Sequence, residues 1–253
     1  MFPYHDENAT QRTPVVTFTL IALNVAAFIG IQGAGAEQSM AASVCNLGLI
    51  PAELMASVPP GAAFRMTKQL VCITDPGRQP LNVLTSMFMH GGWMHLLGNM
   101  WFLWLFGNNI EDSTTRPRFL LFYLLCGVAA ALAQVMADTQ SIIPMVGASG
   151  AISGVMGAYL MLFPRVKVFT MVPLGFYATT VALPAWVMLI YWMVLQLLSQ
   201  AASTVTGQKG GVAYLAHLGG FAAGLVMIKV FERRGRVKAH EAHHWAPRRA
   251  GGN

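Results

Sequence analysis

Residues 146–163 read Val-Gly-Ala-Ser-Gly-Ala-Ile-Ser-Gly-Val-Met-Gly-Ala-Tyr-Leu-Met-Leu-Phe, an uncharged run with two serine hydroxyls set among small and apolar side chains. A helix needs roughly 20 such residues to cross a bilayer, so this run predicts a membrane span and, with it, the fold class. Ser149, Ser153 and Gly157 recur every fourth residue, as do Gly150 and Gly154, leaving two stripes of small side chains where a neighbouring backbone can approach. Taken alone, the stripes read as packing. Ser149 asks for more, because a hydroxyl in hydrocarbon must find a partner.

The rest of the chain supports the membrane reading. It is 55% hydrophobic and 10% charged, against about 25% charged in soluble proteins. Six runs carry few or no charges and approach the spanning length: 14–33, 92–110, 119–137, 146–163, 183–203 and 212–231. They predict an all-α, six-transmembrane-helix bundle occupying 14–232, with a long outer loop at about 34–83, an N-terminal tail at 1–13 and a basic His/Arg-rich tail at 233–253. The first run follows a polar start with Asp6, Glu7 and Arg12 and lacks a small-residue cleavage site, so it reads as a retained span.

Charge orients the bundle. Six spans put both termini on one side, and that side collects Arg12, Arg116, Arg118, Arg165, Lys167, Lys229, Arg233, Arg234, Arg236, Lys238, Arg248 and Arg249. Only Arg65, Lys68, Arg78 and Lys209 fall opposite, so both ends are expected in the cytoplasm. The net charge of +6 then reflects topology and attraction to anionic lipid, with no nucleic acid expected as partner. Cys45 and Cys72 share the outer loop and would be placed to pair in an oxidising compartment. Residues 165–180, with Pro164, Pro173 and Gly175, read as a cytoplasmic interfacial loop.

Polar residues inside the spans point to chemistry. His217, in Ala216-His217-Leu218-Gly219-Gly220, interrupts another small-residue stripe formed by Ala216, Gly220 and Gly224. An imidazole there gains nothing in packing and costs desolvation unless it is bonded. Ser149 and His217 lie a few residues inside the outer ends of parallel spans, hence about 5 to 10 Å deep on both helices. That shared depth suggests a nucleophile and its base. All ten Asp and Glu sit in tails, loops or span ends, which leaves a Ser-His dyad in place of a triad and excludes an aspartyl protease. In His90-Gly91-Gly92-Trp93-Met94-His95-Leu96-Leu97-Gly98-Asn99, His95 and Asn99 share a helix face. They read either as helix-entry and interhelical bonding groups or, with the Gly147–Ser149 turn and its backbone N–H, as an oxyanion site.

The chain resembles the rhomboid intramembrane serine proteases through three motifs in the family's order: His95-x-x-x-Asn99, Gly147-Ala148-Ser149-Gly150 and Ala216-His217-x-Gly219-Gly220. The resemblance implies Ser149 as nucleophile, His217 as base, and His95, Asn99 and the Gly147–Ser149 backbone as oxyanion hole. It also implies hydrolysis of peptide bonds in or beside transmembrane segments of single-span or multi-span membrane proteins, without cofactor or metal. A bacterial inner membrane is the expected location, with the site opening outward and a lateral gate near the fifth span, around 184–191.

Two positions depart from the family. Leu81-Asn82 stands where many members carry Trp-Arg, and Ser153 where some carry an aromatic that stacks on the histidine, making the Ser153 hydroxyl a candidate for orienting His217. His240-Glu241-Ala242-His243-His244 fits the zinc-protease pattern H-E-x-x-H but lies in a polar tail with no third ligand in view. A client-binding pseudoprotease would lack the Ser or His retained here, and a transporter would show broken helices or a charged midplane site.

Overall fold

The computed structural model describes residues 2–65, 71–75, 77–174, 177–206 and 213–244. Lys68, Lys209, Arg248 and Arg249 of the charge argument lie outside them, as do Gly175 and Val212. In chain order the elements are β1 (Phe2–Asp6), α1 (Val15–Gly30), α2 (Glu37–Leu47), α3 (Pro51–Leu54), β2 (Ala63–Arg65), β3 (Val71–Ile73), α4 (Asn82–Thr85) and α5 (Trp93–Phe102). A π-helical turn, Leu103–Gly107, joins α5 to α6 (Asn108–Ser113). There follow α7 (Arg116–Ala137), α8 (Ser149–Leu162), β4 (Lys167–Leu174), β5 (Tyr177–Pro184), α9 (Ala185–Thr206), α10 (Tyr214–Phe231) and α11 (Arg234–His244).

The bundle is built around α8, which is buried from Gly150 to Tyr159. Its small-residue stripes meet those of α10. A side-chain carbon on Gly220 would strike the Gly150 carbonyl, one on Gly224 the Gly154 carbonyl, and one on Gly157 the Phe221 carbonyl. On the other side Ala130 and Cys126 of α7 fill the space over Gly150 and Gly154. The helix has 14 residues, about 21 Å at 1.5 Å each, shorter than the run 146–163 suggested. Gly147 has φ +121°, outside helical geometry, and starts the helix late.

Among the described residues α7, α9 and α10 are long and apolar enough to cross a membrane, and α1 and α8 are shorter apolar helices. Large apolar side chains point away from the core: Leu121 and Met136 on α7, Leu197 and Leu198 on α9, Val226 and Val230 on α10. Water tolerates an apolar surface of that extent poorly, whereas hydrocarbon solvates it. The protein is a membrane protein.

The all-α expectation needs correction. Residues 165–180 are not a loop: β4 and β5 form an antiparallel hairpin, Lys167 opposite Pro184 and Leu174 opposite Tyr177, and β1 adds to its edge with Phe2 opposite Met171. The hairpin is rich in Val, Thr, Phe and Tyr, side chains that favour a pleated surface, and Pro173 lies near its tip. Between α1 and α5, the disulfide Cys45–Cys72 ties α2 to β3. Asn82 donates to the carbonyls of Asn46 and Gly48, and Thr85 to that of Leu47, so this connection is anchored without the Trp-Arg pair.

Both tails pack at the far end of the bundle from Ser149. Asp6 accepts from the Tyr159 hydroxyl at 2.5 Å and from Asn109 Nδ2 at 2.9 Å. Trp101 Nε1 donates to the Pro3 carbonyl at 2.7 Å. On α11, His240 turns inward, Nδ1 donating to Asn8 Oδ1 at 2.8 Å and Nε2 lying 3.2 Å from Asp112. The first histidine of the H-E-x-x-H sequence is therefore committed to joining the two tails. Glu111 caps α1 by accepting from the backbone N–H groups of Val16 and Thr17.

Two outcomes follow from this packing. Gly224→Ala should destabilise the protein by about 3 kcal/mol through overpacking, lowering the thermal midpoint in detergent. Gly235→Ala, whose added carbon meets open space, should be neutral or gain up to about 1 kcal/mol from helix propensity. Burial pushes the Asp6 carboxyl up to about 7, against the lowering effect of the Tyr159 bond. The folded state thus holds this proton where the unfolded state has lost it, so stability should fall as pH rises from the ordinary carboxylate range to about 7 and then level. Thermal midpoints read by intrinsic tryptophan fluorescence should show that fall, and Asp6→Asn should flatten it.

Candidate active site

The turn Gly147-Ala148 places Ser149 at the first position of α8. Gly147 donates its N–H to the Ser86 carbonyl at 2.8 Å. A side chain at Gly147 would meet both the unusual φ and the His95 ring, 2.8 Å from the position its Cβ would take. No side chain caps the start of α8. The helix N-terminus, with its unpaired N–H groups and positive dipole end, faces the space around the serine.

His217 reaches this point from α10, held there by the glycine contacts between the two helices. Its Nε2 lies 2.8 Å from Ser149 Oγ, and its Nδ1 lies 2.8 Å from Oε1 of Gln196 on α9. Trp192, one turn earlier on α9, sets its ring 5.8 Å from the imidazole at a tilt of 42°. The expectation that Ser153 orients the histidine is corrected: its hydroxyl donates to the Ser149 carbonyl at 2.6 Å, within its own helix. A serine inside a helix has the preceding turn's carbonyl within reach and takes it.

His95 and Asn99 approach from α5. The Gly91 N–H donates to His95 Nδ1 at 3.3 Å, which leaves the ring's other nitrogen as the N–H donor, beside Gly147. The Asn99 amide nitrogen is buried with no protein partner and lies near the same glycine. His90 serves the entry to this helix, its backbone exchanging two 2.8 Å bonds with the Gln32 side chain.

A cavity of about 770 Å³ joins these groups, lined among others by His95, Asn99, Ser149, Trp192, Gln196 and His217. It lies between α5 and α9. Among the described residues no carboxylate lines it. Among the described residues no group of three His, Cys, Asp or Glu side chains is placed to hold a metal ion. Sequence reasoning picked out Ser149, His217, His95, Asn99 and Gly147; the structure brings the first four to one cavity and sets Gly147 beside His95 and Asn99. It missed Gln196 and Trp192. Gln196 and Gln200 both follow Trp192 on one face of the span, at four-residue steps, so spacing marked the face without singling out Gln196.

Residues 77–234 match the model of the Rhomboid domain. The chain is 26% identical over 191 residues to Rhomboid protein 1, mitochondrial, of Saccharomyces cerevisiae, covering 71% of this chain and 51% of that protein. It is 34% identical to Rhomboid-like protease 5 of Toxoplasma gondii over 57% of this chain and 15% of that one. With Rhomboid protease GluP of Bacillus subtilis the identity is 40%, over 31% of this chain and 15% of the relative. The chain thus spans about half the length of the yeast relative and less of the other two. With the matched model covering every element from α4 to α10, the chain belongs to the rhomboid family.

Proposed function

We propose that this protein is an intramembrane serine protease that hydrolyses peptide bonds in or next to transmembrane segments of membrane proteins. The observation that carries the reading is the 2.8 Å contact between Ser149 Oγ and His217 Nε2 at a cavity lined by two further side-chain donors. His217 Nε2 takes the hydroxyl proton as Ser149 Oγ attacks the scissile carbonyl carbon. The proton then passes to the leaving amine as the C–N bond breaks. Water attacks the acyl-enzyme by the same route in reverse. Asn99 Nδ2, the His95 ring N–H and the backbone N–H of Ser149 donate to the developing oxyanion. Asn99 is suited to this because its buried donor has no competing protein partner.

The bilayer reading takes α1, the α5–α6 run, α7, α8, α9 and α10 as six crossings, with both termini in the cytoplasm and Ser149 toward the outer face of a bacterial inner membrane. A helix of about 21 Å in a core of about 30 Å leaves its serine end below the surface, where water can follow the polar cavity inward. A substrate helix enters sideways between α5 and α9, since α9 exposes much of its apolar surface and the cavity lies between the two.

Two experiments test the proposal. Purified protein in liposomes should cut a single-span substrate bearing a helix-destabilising segment near its outer end, and Ser149→Ala and His217→Ala should each abolish the cut. Cleavage by either variant at the wild-type rate would refute the dyad. No cleavage by a folded wild type would shift weight to client binding. Asn99→Ala should lower kcat on the order of 10²-fold, the scale of one lost oxyanion donor, with little change in KM, as measured by initial rates across substrate density.

A further inference from the structure

His217 has two ring nitrogens, and only one arrangement of its proton lets it accept from Ser149. Oε1 of Gln196 is an amide oxygen and can only accept a hydrogen bond. The 2.8 Å contact therefore requires the proton on Nδ1. Nε2 is left with its lone pair directed at Ser149 Oγ, 2.8 Å away. In serine hydrolases with a triad, a buried carboxylate performs this orientation and stabilises the imidazolium. Among the described residues no carboxylate lines this cavity, and the Ser153 hydroxyl is turned back into its own helix.

We infer that Gln196 is the positioning residue for His217, taking through a neutral amide oxygen the place a carboxylate holds in a triad; the inference rests on the proposed dyad. The amide orients the ring without adding a buried charge that the apolar surroundings would penalise. Trp192, four residues earlier on the same face of α9, lies against the imidazole and limits its rotation. The start of α9 is fixed to the body: Ala185 donates to the Val166 carbonyl at 2.7 Å, Trp186 to that of Pro164 at 3.0 Å, and Met188 and Leu189 are buried. The ring is thus held from two sides, by α10 through its own backbone and by α9 through its Nδ1 proton. The helix beside the substrate entrance also supplies the contact that makes the base competent.

The test uses the full chain in liposomes with the same single-span substrate. Gln196→Leu, which removes the acceptor while keeping an apolar body of similar size, should lower kcat on the order of 10²-fold and leave KM within about twofold. Gln196→Glu, which restores an oxygen at the same reach, should recover most of that loss. Nitrogen-15 spectra of labelled imidazole should show His217 protonated at Nδ1 in the wild type and a mixture of tautomers in Gln196→Leu. A Gln196→Leu enzyme whose kcat stays within twofold of wild type, or whose loss is not recovered by Glu while the tautomer is unchanged, would overturn the role. If Ser149→Ala proves as active as the wild type, or the folded wild type cleaves nothing, the protease reading fails instead. The imidazole spectra then decide on the Gln196 contact by themselves.

Discussion

The structure depends on backbone contact between α8 and α10. At Gly150/Gly220 and Gly154/Gly224 one helix lies so close to the other that a single methyl group would overlap a carbonyl oxygen. Hydrocarbon offers no hydrophobic drive to bring helices together, so dispersion between close surfaces supplies the attraction, and small residues permit it. The same contact sets the chemistry. Ser149 precedes the first glycine of one stripe, and His217 lies one turn before Gly220–Phe221 on the other. Zipping the stripes together brings hydroxyl and imidazole within hydrogen-bond distance.

A second constraint is where α8 begins. The backbone at Gly147 leaves helical geometry, so Ser149 occupies a helix N-terminus inside the protein instead of a mid-helix position, where its neighbourhood would be saturated by intrahelical bonds. The turn also brings the Ser149 N–H, His95 and Asn99 to one place. Polar groups are costly in such surroundings. Here most are paired: Ser149 with His217, His217 with Gln196, and Ser153 with the Ser149 carbonyl. The buried Asn99 nitrogen lacks a protein partner, which leaves it free for the proposed oxyanion role.

Ionisable groups are handled differently at the opposite end. Asp6, Glu111, Asp112 and His240 are buried there: Asp6 holds β1 through Tyr159 and Asn109, Glu111 caps α1, and His240 ties α11 to Asn8 and Asp112. Separating the charged cluster from the cavity leaves the Ser-His pair in a site with no carboxylate, and an amide oxygen on α9 stands at the remaining imidazole nitrogen.

The sequence by itself determined the membrane class, most of the helices, and the four side chains, His95, Asn99, Ser149 and His217, that meet at the cavity. These are local signals: length without charge marks a span, fourfold spacing of small residues marks a contact face, and a lone imidazole in an apolar run marks a site. The hairpin of β4 and β5 was misread because prolines argue against strands, while β1, which pairs with its edge, comes from the other end of the chain. The burial of His240 depends likewise on Asn8 and Asp112, far away in sequence. Gln196 could not be assigned from spacing, since α9 meets α10 at a rotation that only packing decides. Which face of a helix turns toward a partner sets which polar atom finds which, and that is a property of the assembled bundle.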